Sequence, residues 1–155
     1  MKKYPKDHIV VPRFNEANGF YTTKQRSELM GKIKSQNTKP ELILKKALWN
    51  LGYRYRKNLK KLPGSPDIVY QKHKLIIFVD GDFWHGYNWS EKKTKIKTNR
   101  EFWIPKIERN ILRDKQNNQL LKDAGWHVIR FWENELKKDF DGCVNMIISY
   151  LQDSV

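Results

Sequence analysis

The stretch Gly64-Ser65-Pro66-Asp67-Ile68-Val69-Tyr70, followed by Lys74-Leu75-Ile76-Ile77-Phe78-Val79-Asp80-Gly81-Asp82-Phe83-Trp84-His85, decides the reading of this chain. Pro66 closes a loop, and Ile68-Val69-Tyr70 has the β-branched and aromatic character of a strand. Gln71 to His73 is polar enough to turn. Leu75 to Val79 is then an unbroken apolar run, the pattern of a strand covered on both faces. In an antiparallel pair the start of one strand lies beside the end of the other. Asp67 therefore comes near Asp80, Asp82 and His85. Carboxylates, an imidazole and a strand-end carbonyl gathered at one edge suit a hard divalent cation with a base nearby.

At 155 residues the chain is long enough for one domain with its own core. A formal charge of +14 exceeds what solubility needs and points to an anionic partner, with double-stranded DNA or another nucleic acid first. A generally basic surface is the plain alternative. The six tryptophans allow both a core and exposed stacking groups. Cys143 is the only cysteine, which excludes an intrachain disulfide and a thiolate cluster. No apolar stretch would span a bilayer and no signal-peptide core is present, so no membrane partner and a cytoplasmic location are expected.

Residues 1–22 read as a basic N-terminal arm and residues 23–155 as the folded domain. Thr22 or Thr23 caps a short helix through about Lys34, with Leu29, Met30 and Ile33 on one face. Thr38-Lys39-Pro40-Glu41 opens the next helix, which ends near Gly52, and Thr38 and Glu41 have capping-box spacing. Tyr53 to Arg56 is strand-like. Gly86 to Thr98 reads as a long polar loop whose Lys92, Lys93, Lys95 and Lys97 meet phosphate or water. A long helix is expected from Asn99 to Ala124, with Pro105 marking its first turn or a kink. Trp126 to Phe131 is a strand, Glu133 to Lys137 a short helix and Val144 to Leu151 a final amphipathic helix, with Cys143 in the core. The expected class is α/β, a small mixed sheet flanked by helices.

Taken together, Arg26-Ser27 to Met30, Pro66-Asp67, Asp80-Gly81, Phe83-Trp84-His85-Gly86, Lys97-Thr98-Asn99-Arg100, Arg113-Asp114 and Trp132-Glu133 resemble the very-short-patch-repair (Vsr) endonucleases. The likeness runs from about Thr23 to about Leu136. It implies a restriction-endonuclease-like core and Mg²⁺-dependent nicking of one DNA strand beside a T:G mismatch, the product of 5-methylcytosine deamination. A functional association with a cytosine-5 DNA methyltransferase system belongs to the same expectation. By the resemblance, Asp67 and the Val79 carbonyl would hold Mg²⁺, His85 would be the general base, and Glu41 would orient water. Met30, Phe83 and Trp84 would match the family's base-pair wedge. His85 would also fill the role of the lysine that related nucleases place after their second carboxylate, since Gly81 stands there.

One departure is expected to matter. Family members commonly bind a structural zinc through Cys and His, whereas this chain has Asp82, Tyr87, Trp89 and Asn134 in those regions. No structural zinc is expected. Two other functions compete with mismatch nicking: a restriction or phage-defence endonuclease of the same fold cutting an intact sequence, and a DNA-binding module without catalysis. The acidic cluster opposes the last, because carboxylates repel phosphate unless a cation intervenes.

Overall fold

The computed structural model describes residues 9–34 and 36–154. A single 3-10 turn, Glu16–Asn18, precedes helices α1 (Lys24–Gly31) and α2 (Lys39–Asn50). Strands β1 (Arg56–Lys57), β2 (Ile68–Tyr70) and β3 (Leu75–Asp80) follow. Helices α3 (Trp89–Lys95) and α4 (Arg100–Asp123) lead to β4 (His127–Trp132), and α5 (Glu133–Lys138) and α6 (Phe140–Asp153) complete the fold.

The strands form a mixed sheet in the order β1-β2-β3-β4. β2 pairs antiparallel with β1 and with β3, and β3 pairs parallel with β4. The apolar run of β3 has its explanation in the alternation of side chains. Leu75 and Ile77 face a core built with Ile68, Ile129 and Phe131 of the sheet, Leu44 and Leu48 of α2, and Leu136, Ile147 and Leu151 of α5 and α6. Ile76 and Phe78 face the opposite side, against Val69 and Leu121 of α4. Leu75, Ile76 and Ile77 are wholly buried. Each contributes about 2 kcal/mol of apolar burial, so β3 is the rigid staff on which the loop after Asp80 is carried. The α/β class and the restriction-endonuclease-like core are as the sequence implied.

Several local expectations are corrected. Residues 86–98 are not one long loop: Trp89–Lys95 is helical. The first strand is Arg56–Lys57 and not Tyr53 to Arg56. The expected apolar face of α1 is not buried; Leu29 and Ile33 are exposed and Met30 half-buried. On α2, Leu44 and Leu48 enter the core while Leu42 and Leu51 face outward. Pro105 neither starts nor breaks α4, which runs through it. Within the expected arm, residues 1–8 lie outside the described residues. Further along, Phe20 is buried, and Phe14 and Phe20 both pack on Phe102 at 4.9 and 5.6 Å between ring centroids. The chain before α1 is therefore packed on α4 at this point, because two aromatics there outweigh its polar composition.

Candidate active site

The site lies where β2 begins and β3 ends. The register Ile68↔Ile77 sets Asp67 beside the end of β3, and Asp67 Oδ2 accepts a hydrogen bond from the Val79 backbone N at 2.7 Å. Burial pushes the Asp67 carboxyl up to about 7, against the Val79 hydrogen bond, which lowers it; the Glu41 charge adds to the rise and the Lys45 charge opposes it. Glu41 comes from the first turn of α2. Its Oε2 accepts from the Thr38 backbone N at 3.4 Å, and its Oε1 pairs with Lys45 one turn along. The capping and cleft-lining roles of Glu41 thus hold together.

Asp80 ends β3 and is buried. Both its oxygens accept from Arg130 Nη1, each at 2.9 Å. Arg130 is itself fixed by Asn118 Oδ1 at 2.7 Å and by the Phe78 ring, 3.9 Å from its guanidinium carbon. His85 stands five residues on, with Nδ1 2.6 Å from Asp114 Oδ2 of α4 and 3.7 Å from Asp80 Oδ1. Burial alone would lower the imidazole, but the Asp114 hydrogen bond and the Asp80 and Asp114 charges outweigh it, so the net shift is upward. A carboxylate at Nδ1 fixes the tautomer and presents Nε2 as the working nitrogen.

Ligand atoms of Asp80, His85 and Asp114 lie within 4.8 Å of one another, close enough for a metal. Arg130 already neutralises Asp80 and stands 3.7 Å from Asp114. A cation there would have to displace a guanidinium held by two further contacts. Asp67 fits a divalent cation better: it is a half-buried carboxylate whose partner is a backbone N–H.

The cleft outside these groups has a volume of about 670 Å³. Glu41, Val79 and His85 line it, and Met30, Phe83 and Trp84 line it too, so the expected chemical and wedge residues share one space. Asp67 does not itself line the cleft; it is joined to the lining residue Val79 through that residue's backbone N–H. Phe83, 39% exposed, packs on Trp84 and Trp103 with centroids 5.2 and 5.4 Å away, and Trp84 lies 5.7 Å from Trp103. Asp82 turns aside, accepting from the Asn134 backbone N at 3.3 Å, while Asn134 Nδ2 donates to Tyr87 Oη at 2.9 Å. Trp89 Nε1 donates to Glu108 at 3.4 Å. Among the lysines expected to meet phosphate, Lys93 pairs with Glu108 at 2.6 Å and Lys95 with Glu91, while Lys92 sits over the Tyr87 ring.

Sequence reasoning gave no role to Lys45, Trp103, Lys106, Asn110, Asp114 or Arg130. Lys106 and Asn110 line the cleft, and Asn110 Nδ2 holds the Trp84 carbonyl at 2.9 Å. The signal available was the spacing of Trp103, Lys106, Asn110 and Asp114, which steps by three and four along one face of α4. For Lys45 it was the four-residue step from Glu41. Arg130 offered none, being one polar residue in a β-strand.

A basic chain that sets carboxylates and an oriented histidine at the end of a mixed sheet, below an aromatic cluster, has the make-up of an endonuclease acting on DNA. The family model of DNA mismatch endonuclease Vsr matches residues 18–91. The type II nicking enzyme V.NmeDIP of Neisseria meningitidis serogroup C is 49% identical over 85% of this chain and 89% of its own. The nicking enzyme V.HpaIIP of Haemophilus parainfluenzae is 47% identical over 76% and 84%. The DNA mismatch endonuclease Vsr of Escherichia coli (strain K12) is 35% identical over 72% and 71%. The chain belongs to the Vsr family of DNA endonucleases. No helix among the described residues is long and apolar enough to cross a membrane.

Proposed function

We propose that this endonuclease nicks one strand of double-stranded DNA beside a T:G mismatch, with Mg²⁺ as its cofactor, in a cell that also carries a cytosine-5 DNA methyltransferase. The observation that carries the reading is the shared cleft, whose lining includes Glu41, Val79 and His85 together with Met30, Phe83 and Trp84. The names of the relatives support it: two are nicking enzymes and one is a mismatch endonuclease.

Asp67 and the Val79 carbonyl would hold the Mg²⁺ ion, whose contribution is to offset charge on the phosphoryl oxygens. His85 takes the proton of the attacking water at Nε2. Asp114 holds the ring in position through Nδ1 and steadies the imidazolium that results. Glu41 faces the same water from α2. Phe83 and Trp84 enter the stack from the major-groove side, with Met30 assisting from α1. Opening a mismatched step costs less than opening a paired one, so the wedge selects weak pairing. Lys92 supplies phosphate attraction, and Lys93 and Lys95 do so after exchanging their carboxylate partners.

Structural zinc has no place in this reading. Asp82, Tyr87 and Asn134 offer oxygens and an amide that already satisfy one another, with no thiolate or imidazole among them. The test is Asp67→Ala. It should abolish Mg²⁺-dependent nicking while leaving duplex affinity within about twofold, since it removes a cation ligand and not a phosphate contact. Full activity in this variant would remove the assignment.

A further inference from the structure

Helix α2 has apolar residues on both of its faces. Glu41, Leu44, Lys45 and Leu48 turn inward and are buried. Lys39, Leu42, Ile43 and Lys46 step by three and four residues along the opposite face and are exposed. Leu42 and Ile43 are 49% and 48% exposed, and Ile33, just past the end of α1, joins them at 51%. With Lys34 these residues line a groove of about 550 Å³ that has no carboxylate on its walls. The groove is continuous with the cleft, since Ile33, Lys34 and Thr38 line both.

Lys34, Lys39 and Lys46 have no ion-pair partner among the described residues, unlike Lys93 and Lys95. The cleft itself carries Glu41, Asp82 and Glu133 on its lining, with Asp114 bonded to His85 beside it. Such a cleft repels phosphate wherever a cation does not intervene, so attraction for a duplex has to come from its flanks. An apolar face meant for a protein partner would be poor in lysine. Here a lysine stands at each end of the apolar strip on α2. By helical rise Lys39 and Lys46 are about 10 Å apart, which matches about three base steps along one DNA strand. We infer that this outer face of α2 is a further DNA-contact site, holding the sugar-phosphate backbone of the duplex beyond the nicked step. Lys39 and Lys46 meet phosphate, and Leu42 and Ile43 cover the sugars between. The inference rests on reading the cleft as the place where DNA is cut.

The test is binding of the full chain to matched and T:G-mismatched duplexes without Mg²⁺, followed by fluorescence anisotropy over a range of salt concentrations. Lys39→Gln/Lys46→Gln should weaken binding roughly tenfold and make the slope of log K against log salt shallower by about 1.8. Both side chains are exposed, so the core is untouched. Lys72→Gln/Lys122→Gln removes the same charge near the start of β3, the sheet end away from the cleft. That control should change the slope by less than about 0.5. The loss should be alike on both duplexes, because backbone contacts carry no sequence information. An unchanged slope in the groove variant, or equal effects of the two variants, would overturn the inference. An unchanged slope with loss of a dimer would assign the face to a second copy of the chain and overturn it likewise. If the groove variant shows the loss while the unaltered protein binds both duplexes equally, the inference stands and mismatch selection in binding fails. No salt-dependent duplex binding at all would remove both.

Discussion

His85 Nδ1 lies 2.6 Å from Asp114 Oδ2, joining the loop after β3 to the middle of α4 across 29 residues of sequence. The pair holds a loop histidine in one orientation. It also raises the imidazole above its usual 6.5, since the two nearby carboxylates outweigh burial.

The nicking rate should therefore rise with pH along a limb centred above 6.5, as His85 loses its proton. Asp114→Asn removes the carboxylate that raises the imidazole, so the limb should move to lower pH while the plateau rate falls roughly 10- to 100-fold. A pH–rate profile of the two proteins checks this. An unshifted limb would take Asp114 out of the base.

Asp67 gives a stability prediction with the opposite chemistry. Its folded carboxyl, at about 7, is raised above the unfolded value. The folded state then binds more protons than the unfolded one between about pH 4 and 7, and stability falls as pH rises through that window. Without metal, Asp67→Asn should be more stable than the unaltered protein at pH 8 and no more stable at pH 4. Thermal melts across that range decide it, and parallel curves for the two proteins would contradict the assignment.

Gly86 follows His85 directly and has φ +75°. A methyl group there would run into the Ile111 side chain of α4. Gly86→Ala should cost about 1–3 kcal/mol through strain and overpacking. It should also slow nicking by displacing His85. A Tm and rate equal to those of the unaltered protein would mean the loop is not seated on α4.

Trp84 separates a wedge from a core residue. Trp84→Ala should reduce discrimination between T:G and matched duplexes by at least about tenfold, with only a modest drop in Tm. A large Tm loss with unchanged discrimination would make Trp84 a packing residue of the Phe83–Trp103 cluster.

How much of this was legible in the sequence depended on whether the cause was local. The apolar run Leu75 to Val79 gave β3, and the hairpin geometry gave the meeting of Asp67 with the end of that strand. Asp80 and Asp82 could not be told apart, because their partners, Arg130 and Asn134, come from β4 and α5. The burial of Lys45 was likewise invisible: a lysine four residues after a glutamate reads as an exposed helix pair. The aromatic patch was half seen. Phe83 and Trp84 stood out on their loop, while Trp103 looked like one more apolar residue of a long helix.

The central claim is most directly tested by incubating the purified protein with Mg²⁺ and end-labelled duplexes that differ only in one T:G mismatch. Both strands are resolved on a denaturing gel. The account predicts a nick in one strand of the mismatched duplex, dependent on Mg²⁺ and absent from the matched one. Equal cutting of the matched duplex, or cleavage of both strands, would contradict it and favour an enzyme that cuts an intact sequence.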